Sequence, residues 1–177
     1  MKEKSETVLI ESVLAGDIDS FGELGRRYWP VMVAVGYSVL GDHHLAEDAA
    51  QEALARGLVG LRTLKNTDRF GSWLGRICRN VAKDMTSARS RKVRAENLSQ
   101  LPDGYNEDKS SGEVRQAIDK LGPRMKELVV LRYYNNLSYE QISNVLGISK
   151  AAINGRLGRA KRKIAKYLRQ TGFSEDS

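Results

Sequence analysis

The stretch Ser138-Tyr139-Glu140-Gln141-Ile142-Ser143-Asn144-Val145-Leu146-Gly147-Ile148-Ser149-Lys150-Ala151-Ala152-Ile153-Asn154-Gly155-Arg156-Leu157 decides how this chain folds. Ser138 followed three residues later by Gln141 is a capping box, in which each side chain serves the other residue's backbone N–H, so a helix starts here. Ile142, Val145 and Leu146 then recur at helical spacing. Gly147 ends that helix, Ile148 packs inward, and Ser149 caps a longer one whose Ile153, Leu157, Ala160, Ile164 and Leu168 make one apolar stripe. Two helices joined by a tight glycine-containing turn are a helix-turn-helix. An ordinary helical hairpin has the same spacing, and charge separates the two. From Lys150 to Arg169 there are eight basic residues and no acid. Lys150, Asn154, Arg156 and Arg159 crowd the first half of the second helix, where a major groove offers base edges. Lys161, Arg162, Lys163 and Lys166 follow, where phosphates are in reach. Gly155 and Gly158 each cost the helix about 1 kcal/mol relative to alanine. They either let the backbone lie close to DNA or relieve crowding inside the protein.

Outward from this motif, Glu113 to Leu121 reads as one helix, and Pro123 opens another through Leu131 and Tyr133. With the helix-turn-helix they make a compact four-helix unit over 113–170. Between 91 and 112 no period survives; Ser, Gly, Asn, Asp and Pro dominate, as in a flexible linker. Residues 1–90 read as a bundle of about four helices. Ser5 caps the first, with Leu9, Ile10, Val13 and Leu14 apolar. Ser20 with Glu23 is a capping-box pattern for a second running towards Leu40, with Pro30 inside it expected to bend it or break one hydrogen bond. Gly41-Asp42 stops that helix and caps a third, carrying Leu45, Ala49, Ala53 and Leu58. Asp68 starts a fourth, with Phe70, Trp73, Leu74, Ile77, Val81 and Met85 on one face. The fold class is therefore all-α.

The 177 residues carry a net charge of +7, and 41% are hydrophobic and 29% charged. The basic residues are not spread evenly. From Arg69 to Arg94 there are eight against one acid, Asp84, whereas the first twenty-four residues hold six acids and two lysines. Two separate basic stripes are an electrostatic footprint for a polyanion. Cys78 is the sole cysteine, which excludes an internal disulfide and a thiolate metal cluster; its apolar helical position suits a buried thiol. His43 and His44 are adjacent and share no helix face, and no metal-spaced cluster of His, Asp and Glu is visible, so no cofactor or metal is expected. The polar start and the lack of a long apolar run predict a soluble, cytoplasmic protein with no membrane association.

The motifs resemble a known family, the extracytoplasmic-function (ECF) RNA polymerase sigma factors. Leu121-Gly122-Pro123-Arg124, Leu131-Arg132, the run from Leu137 to Ile142 and Leu146-Gly147-Ile148-Ser149 are similar to that family's C-terminal domain, sigma region 4, which reads the promoter's −35 element. Phe21, Leu24, Arg27-Tyr28 and Leu40-Gly41-Asp42 resemble the opening of its N-terminal domain, sigma region 2. Ala46-Glu47-Asp48 and Gln51-Glu52-Ala53 are similar to the helix that docks on the clamp helices of the polymerase β′ subunit. Phe70, Trp73-Leu74, Arg76-Ile77, Arg79-Asn80 and Asp84 look like the segment that captures and melts the −10 element. The resemblance covers nearly all of the chain outside the linker, in the family's order.

It implies a non-enzymatic subunit that binds RNA polymerase core through β′ and the β flap, directs it to promoter DNA, and is regulated in trans by an anti-sigma factor. Asp48, Gln51 and Glu52 share an exposed arc, able to hydrogen-bond a partner or simply to be solvated. Arg69, Trp73, Arg76, Asn80 and Lys83 form the −10 set. Trp73 is expected mainly to pack, and Asn80 has the donors and acceptor to read an extruded base. The 64–69 loop would wall that pocket. Lys150, Asn154, Gly155, Arg156, Arg159, Arg162, Lys163 and Lys166 form the −35 set. Asn154 and Gly155 depart from the family's usual basic and small hydroxyl residues, Ala152 replaces a common Thr, and Leu54 a usual aromatic; the −35 preference is thereby open. Three rivals are weaker. A free-standing helix-turn-helix regulator leaves 1–90 without a task, an enzyme on nucleic acid lacks catalytic groups, and an anti-sigma-like adaptor would lack a DNA reader.

Overall fold

A computed structural model describes residues 4–95 and 109–171, and among these there are helices and turns but no strand. The all-α expectation is borne out. The N-terminal half holds α1 (Glu6–Leu14), α2 (Asp19–Leu40), α3 (His43–Gly60) and α4 (Phe70–Ala95). The C-terminal half holds α5 (Lys109–Asp119), α6 (Pro123–Val129), α7 (Tyr139–Leu146) and α8 (Lys150–Gln170). The expected linker, 91–112, lies for the most part outside the described residues. At its edges α4 continues to Ala95 and α5 begins at Lys109.

Most starts and stops have the causes anticipated. The Ser5 hydroxyl accepts from the Val8 N–H. Gly41 ends α2 at φ 66°, the left-handed conformation glycine adopts without penalty, and the Asp42 carboxylate caps α3 by accepting from Leu45 N–H at 3.1 Å. α2 runs through Pro30 without interruption. The capping box at its start does not form. Ser20 is buried, and both its N–H and its hydroxyl donate to Asp17, which stands where it can take the role expected of Ser20. Glu23 instead binds Arg26 and Arg27, whose guanidinium groups hold its carboxyl below the usual range.

Close packing of small residues brings α2 and α3 together. A Cβ added at Gly36 would stand 3.0–3.4 Å from Ala46, and Ala46, Ala49, Ala50, Ala53 and Gly57 line the buried face of α3. Across them α4 lays Phe70, Leu74, Cys78, Val81 and Ala82, all buried. The Cys78 thiol donates to Met32 O, and burial pushes its pKa up to about 12, so it stays an inert thiol at neutral pH. α4 begins two residues later than expected. A 3₁₀ turn over Thr67–Arg69, capped by the Asn66 side chain on Asp68 N–H, takes up its first residues.

In the C-terminal half Pro123 occupies the first turn of α6, as proline's fixed φ favours. The helix then widens over Val130–Tyr134 into a π-helical turn that spacing did not announce. The Ser138–Gln141 capping box is present in both directions. Gly147 at φ 65° ends α7, and Ser149 accepts from Ala152 N–H to start α8. Ile153, Leu157 and Ala160 are buried, and Ile164 and Leu168 are half-buried at the outer end of the same stripe.

The two halves pack against each other, α7 lying on α4. One apolar cluster runs through both, from Leu9 and Phe70 to Val145 and Leu157.

Candidate nucleic-acid interface

The turn between α7 and α8 aims α8 outward. Ser143 Oγ donates to Ile148 O at 2.7 Å, fixing the turn from inside. The apolar stripe of α8 faces α5, α6 and α7, so its basic residues are left on the outer side. Lys150, Asn154, Gly155, Arg159, Arg162, Lys163 and Lys166 are exposed and Arg156 is half-buried. Lys150 pairs with Glu140 at 3.1 Å, with both side chains mostly in solvent, a contact that competing phosphates can replace at little cost. The Tyr139 hydroxyl lies 3.5 Å from Asn154 Oδ1, and the Arg132 guanidinium sits over the Tyr139 ring while donating to Leu137 O. Asn154 thus stands beside a supported side chain at the front of the helix.

The glycines of α8 lie in open space. A Cβ at Gly155 would meet only the tip of Arg159 at 3.8 Å, and one at Gly158 only the tip of Arg162 at 3.9 Å. Nothing inside the protein crowds them. Relief of crowding inside the protein therefore does not account for them.

A second exposed set stands on α4 and at the end of the 3₁₀ turn before it. Arg76, Asn80 and Lys83 are exposed along one side of α4, and Arg69 is exposed in the turn. Trp73 is half-buried; its ring packs against Gly60 and Phe70, so most of it serves as a wall. The short 3₁₀ turns Leu61–Thr63 and Thr67–Arg69 form the loop beside this set. On α3, Asp48, Gln51 and Glu52 are all exposed, and Glu52 pairs with Arg56 one turn on at 2.7 Å.

Residues that spacing did not single out lie where α7 meets α4. Arg79 donates from Nε to Glu127 Oε1 at 2.7 Å and from Nη2 to Val145 O at 2.9 Å. Asn144 Nδ2 donates to the Tyr28 hydroxyl at 3.1 Å, which donates to Glu6 Oε2 at 2.5 Å. Burial, then the neighbouring Glu6 carboxylate, pushes the Tyr28 pKa far up, so that it remains a donor. The only hint in the sequence was a pair of glycines four apart, Gly71 and Gly75, followed one turn later by Arg79.

Comparison with known proteins decides what these surfaces belong to. The Sigma-70 region 2 family model matches residues 24–92 and the Sigma-70 region 4 model matches 111–164, together more than two thirds of the chain. This chain belongs to the sigma-70 family of RNA polymerase sigma factors. Several of its relatives carry the ECF designation. It is 32% identical to the ECF RNA polymerase sigma factor BldN of Streptomyces coelicolor over 90% of this chain and 64% of BldN. It is 28% identical to the ECF RNA polymerase sigma factor SigW of Bacillus subtilis over 90% of this chain and 95% of SigW. The solved structure of CnrH in complex with the cytosolic domain of CnrY covers 98% of this sigma factor, at 25% identity and a TM-score of 0.60. Sigma factors of this family are transcription initiation factors and not enzymes. No described helix of this one is long and apolar enough to cross a membrane.

Proposed function

We propose that this sigma factor binds RNA polymerase core in the cytoplasm and directs it to promoters that it reads at two places. Residues 1–90 act as region 2, 113–170 as region 4, and 91–112 as the tether between them. Asp48, Gln51 and Glu52 on α3 dock on the β′ clamp helices, and region 4 engages the β flap. Lys150, Asn154, Gly155, Arg156 and Arg159 enter the −35 major groove, with Arg162, Lys163 and Lys166 on phosphates. Asn80, flanked by Arg76 and Lys83 and walled by Trp73 and the loop before Arg69, holds an unstacked base of the −10 element. Strand opening is then driven by capture of the unpaired strand rather than by a chemical fuel. An anti-sigma factor restrains the protein in trans, by analogy with the sigma factor RpoE of Bartonella quintana, which was solved in complex with the anti-sigma factor NepR.

The observation that carries this reading is the pair of outward basic surfaces on α4 and α8, in a chain that matches both sigma regions in order. A free-standing regulator needs only the second of them. Size-exclusion chromatography of the full chain with purified polymerase core tests it, followed by run-off transcription on genomic fragments. Co-elution with core and discrete transcripts that core alone does not make are expected. A chain that binds DNA yet passes core unretained is a regulator of another kind.

A further inference from the structure

Lys150, Arg156 and Arg159, proposed above to enter the major groove, carry hydrogen-bond donors only, and Gly155 has no side chain. Asn154 Oδ1 is therefore the one side-chain acceptor of that set, and what holds it decides which base edges α8 can read. The fold places Tyr139 against it. The Ser138–Gln141 capping box makes Tyr139 the first residue of α7, Ser149 starts α8, and Ser143 Oγ on Ile148 O fixes the turn between them. Glu140 and Lys150 tie the two helix starts together at 3.1 Å. The Tyr139 ring is half-buried against the core, and its hydroxyl stands 3.5 Å from Asn154 Oδ1. A full hydroxyl hydrogen bond is about half an ångström shorter, and a small turn of the exposed Asn154 side chain closes that gap. The direction of the bond follows from Arg132. Its guanidinium lies over the Tyr139 ring, 5.4 Å from the centroid, and is itself held by Leu137 O at 3.0 Å. A cation there draws on the ring's π electrons, which makes the hydroxyl the donor and Asn154 Oδ1 the acceptor.

We infer that Tyr139 is a positioning residue that sets what Asn154 reads: it occupies Oδ1 and leaves only the two hydrogens of Nδ2 for the base. An asparagine with both ends of its amide free pairs adenine, accepting from N6 and donating to N7. With Oδ1 taken, adenine's N6 donor has no partner, and a polar group left unpaired in an interface is costly. Guanine offers two acceptors, N7 and O6, at the same edge, and both can accept from Nδ2. Cytosine presents only a donor, and thymine one acceptor beside a methyl group. Asn154 therefore selects guanine over adenine at its base pair, and the front of α8 as a whole addresses acceptor edges. This specificity rests on the −35 seating proposed above; the contact between Tyr139 and Asn154 does not.

Tyr139→Phe removes the hydroxyl and keeps the ring, so the packing of α7 and the Arg132 stack are retained. The full chain with polymerase core is titrated by anisotropy against promoter duplexes carrying each of the four base pairs at every −35 position. The native protein, Tyr139→Phe, Asn154→Ala and the double variant are compared, with helix content checked by circular dichroism. The pair read by Asn154 is the one at which Asn154→Ala flattens the preference. There the native protein should favour guanine over adenine at least about fivefold, the lower end for one good base contact. Tyr139→Phe should bring adenine to parity or better at that pair alone, and should change nothing further in the Asn154→Ala background. The assignment is overturned by a native preference for adenine there, by a Tyr139→Phe loss shared by all sequences alike, or by the absence of such a pair in a complex that discriminates elsewhere. The free chain supplies an arm without DNA. Order parameters of the Asn154 side-chain amide, whose signal is the one missing from Asn154→Ala, should fall in Tyr139→Phe. An unchanged order parameter also overturns the assignment. A native complex with no base preference anywhere in the −35 element contradicts the promoter reading instead, and the order parameter then decides the contact.

Discussion

Arg159 and Lys166 share a helix and a charge, and the proposed seating of α8 gives them different tasks. Arg159 is exposed in the first half of α8, on the side left open by Gly155. Lys166 lies nearly two turns further on, where only backbone is in reach of a helix seated in the groove. An arginine that holds a guanine through two hydrogen bonds discriminates by about 1–3 kcal/mol. With the core complex on duplexes that differ at single −35 base pairs, Arg159→Ala should lose that amount and relax preference at one position. Lys166→Ala should weaken every sequence alike and lower the salt slope by about 1, since one fewer counterion is released. Anisotropy titrations at several salt concentrations read both, and an exchange of the two behaviours contradicts the seating of α8. These outward residues were legible from spacing and charge alone. Arg79 was not, because its partners Glu127 and Val145 lie far along the chain and only the folded structure brings them together. Nor was the burial of Ser20: a serine three before a glutamate looks the same whether it caps a helix or binds an aspartate just upstream.

The elements were readable wherever a local rule governs them. Ser138 and Gln141 make their capping box, Gly41 and Gly147 their left-handed stops, and Asp42 and Ser149 their caps. Replacing Ser138 by alanine removes an N-cap worth about 1 kcal/mol. For a chain of this size the melting temperature should fall by about 2–4 °C, measured by thermal denaturation, with DNA binding lost in proportion to unfolding only. An unchanged melting temperature would mean that α7 is held by its packing on α4 alone. The π-helical turn at Val130–Tyr134 escaped because its cause is tertiary; it sets Tyr134 against Tyr37, and no period in the sequence encodes a partner. On α3 the element presents rather than packs its polar face. Gln51→Ala with Glu52→Ala should reduce co-purification with core while circular dichroism stays unchanged, because Glu52 bonds only along its own helix to Arg56, in a surface pair of small worth. Full retention of core binding by this double variant would remove α3 from the docking surface.

At the scale of the whole molecule, α7 lies on α4. The promoter reading proposed above requires the two halves to part, and chain length allows it: from Ala95 to Lys109 an extended chain reaches roughly 48 Å. The stretch of α4 from Asn80 to Ala95 adds about 22 Å at 1.5 Å per residue. Their sum is close to the separation of elements about 20 base pairs apart. In the proposed function, opening of the duplex depends on Asn80, which is exposed on α4 about two turns beyond Trp73. Permanganate reactivity of thymines in a −10 element, with core and the full chain on linear duplex promoter, measures that step directly. The native chain should make those thymines reactive where core alone does not. Asn80→Ala should lose most of the signal on duplex DNA while −35 binding persists, and a pre-melted bubble should restore part of its transcription. Full reactivity with Asn80→Ala, or reactivity with core alone, would contradict capture of the −10 strand by α4.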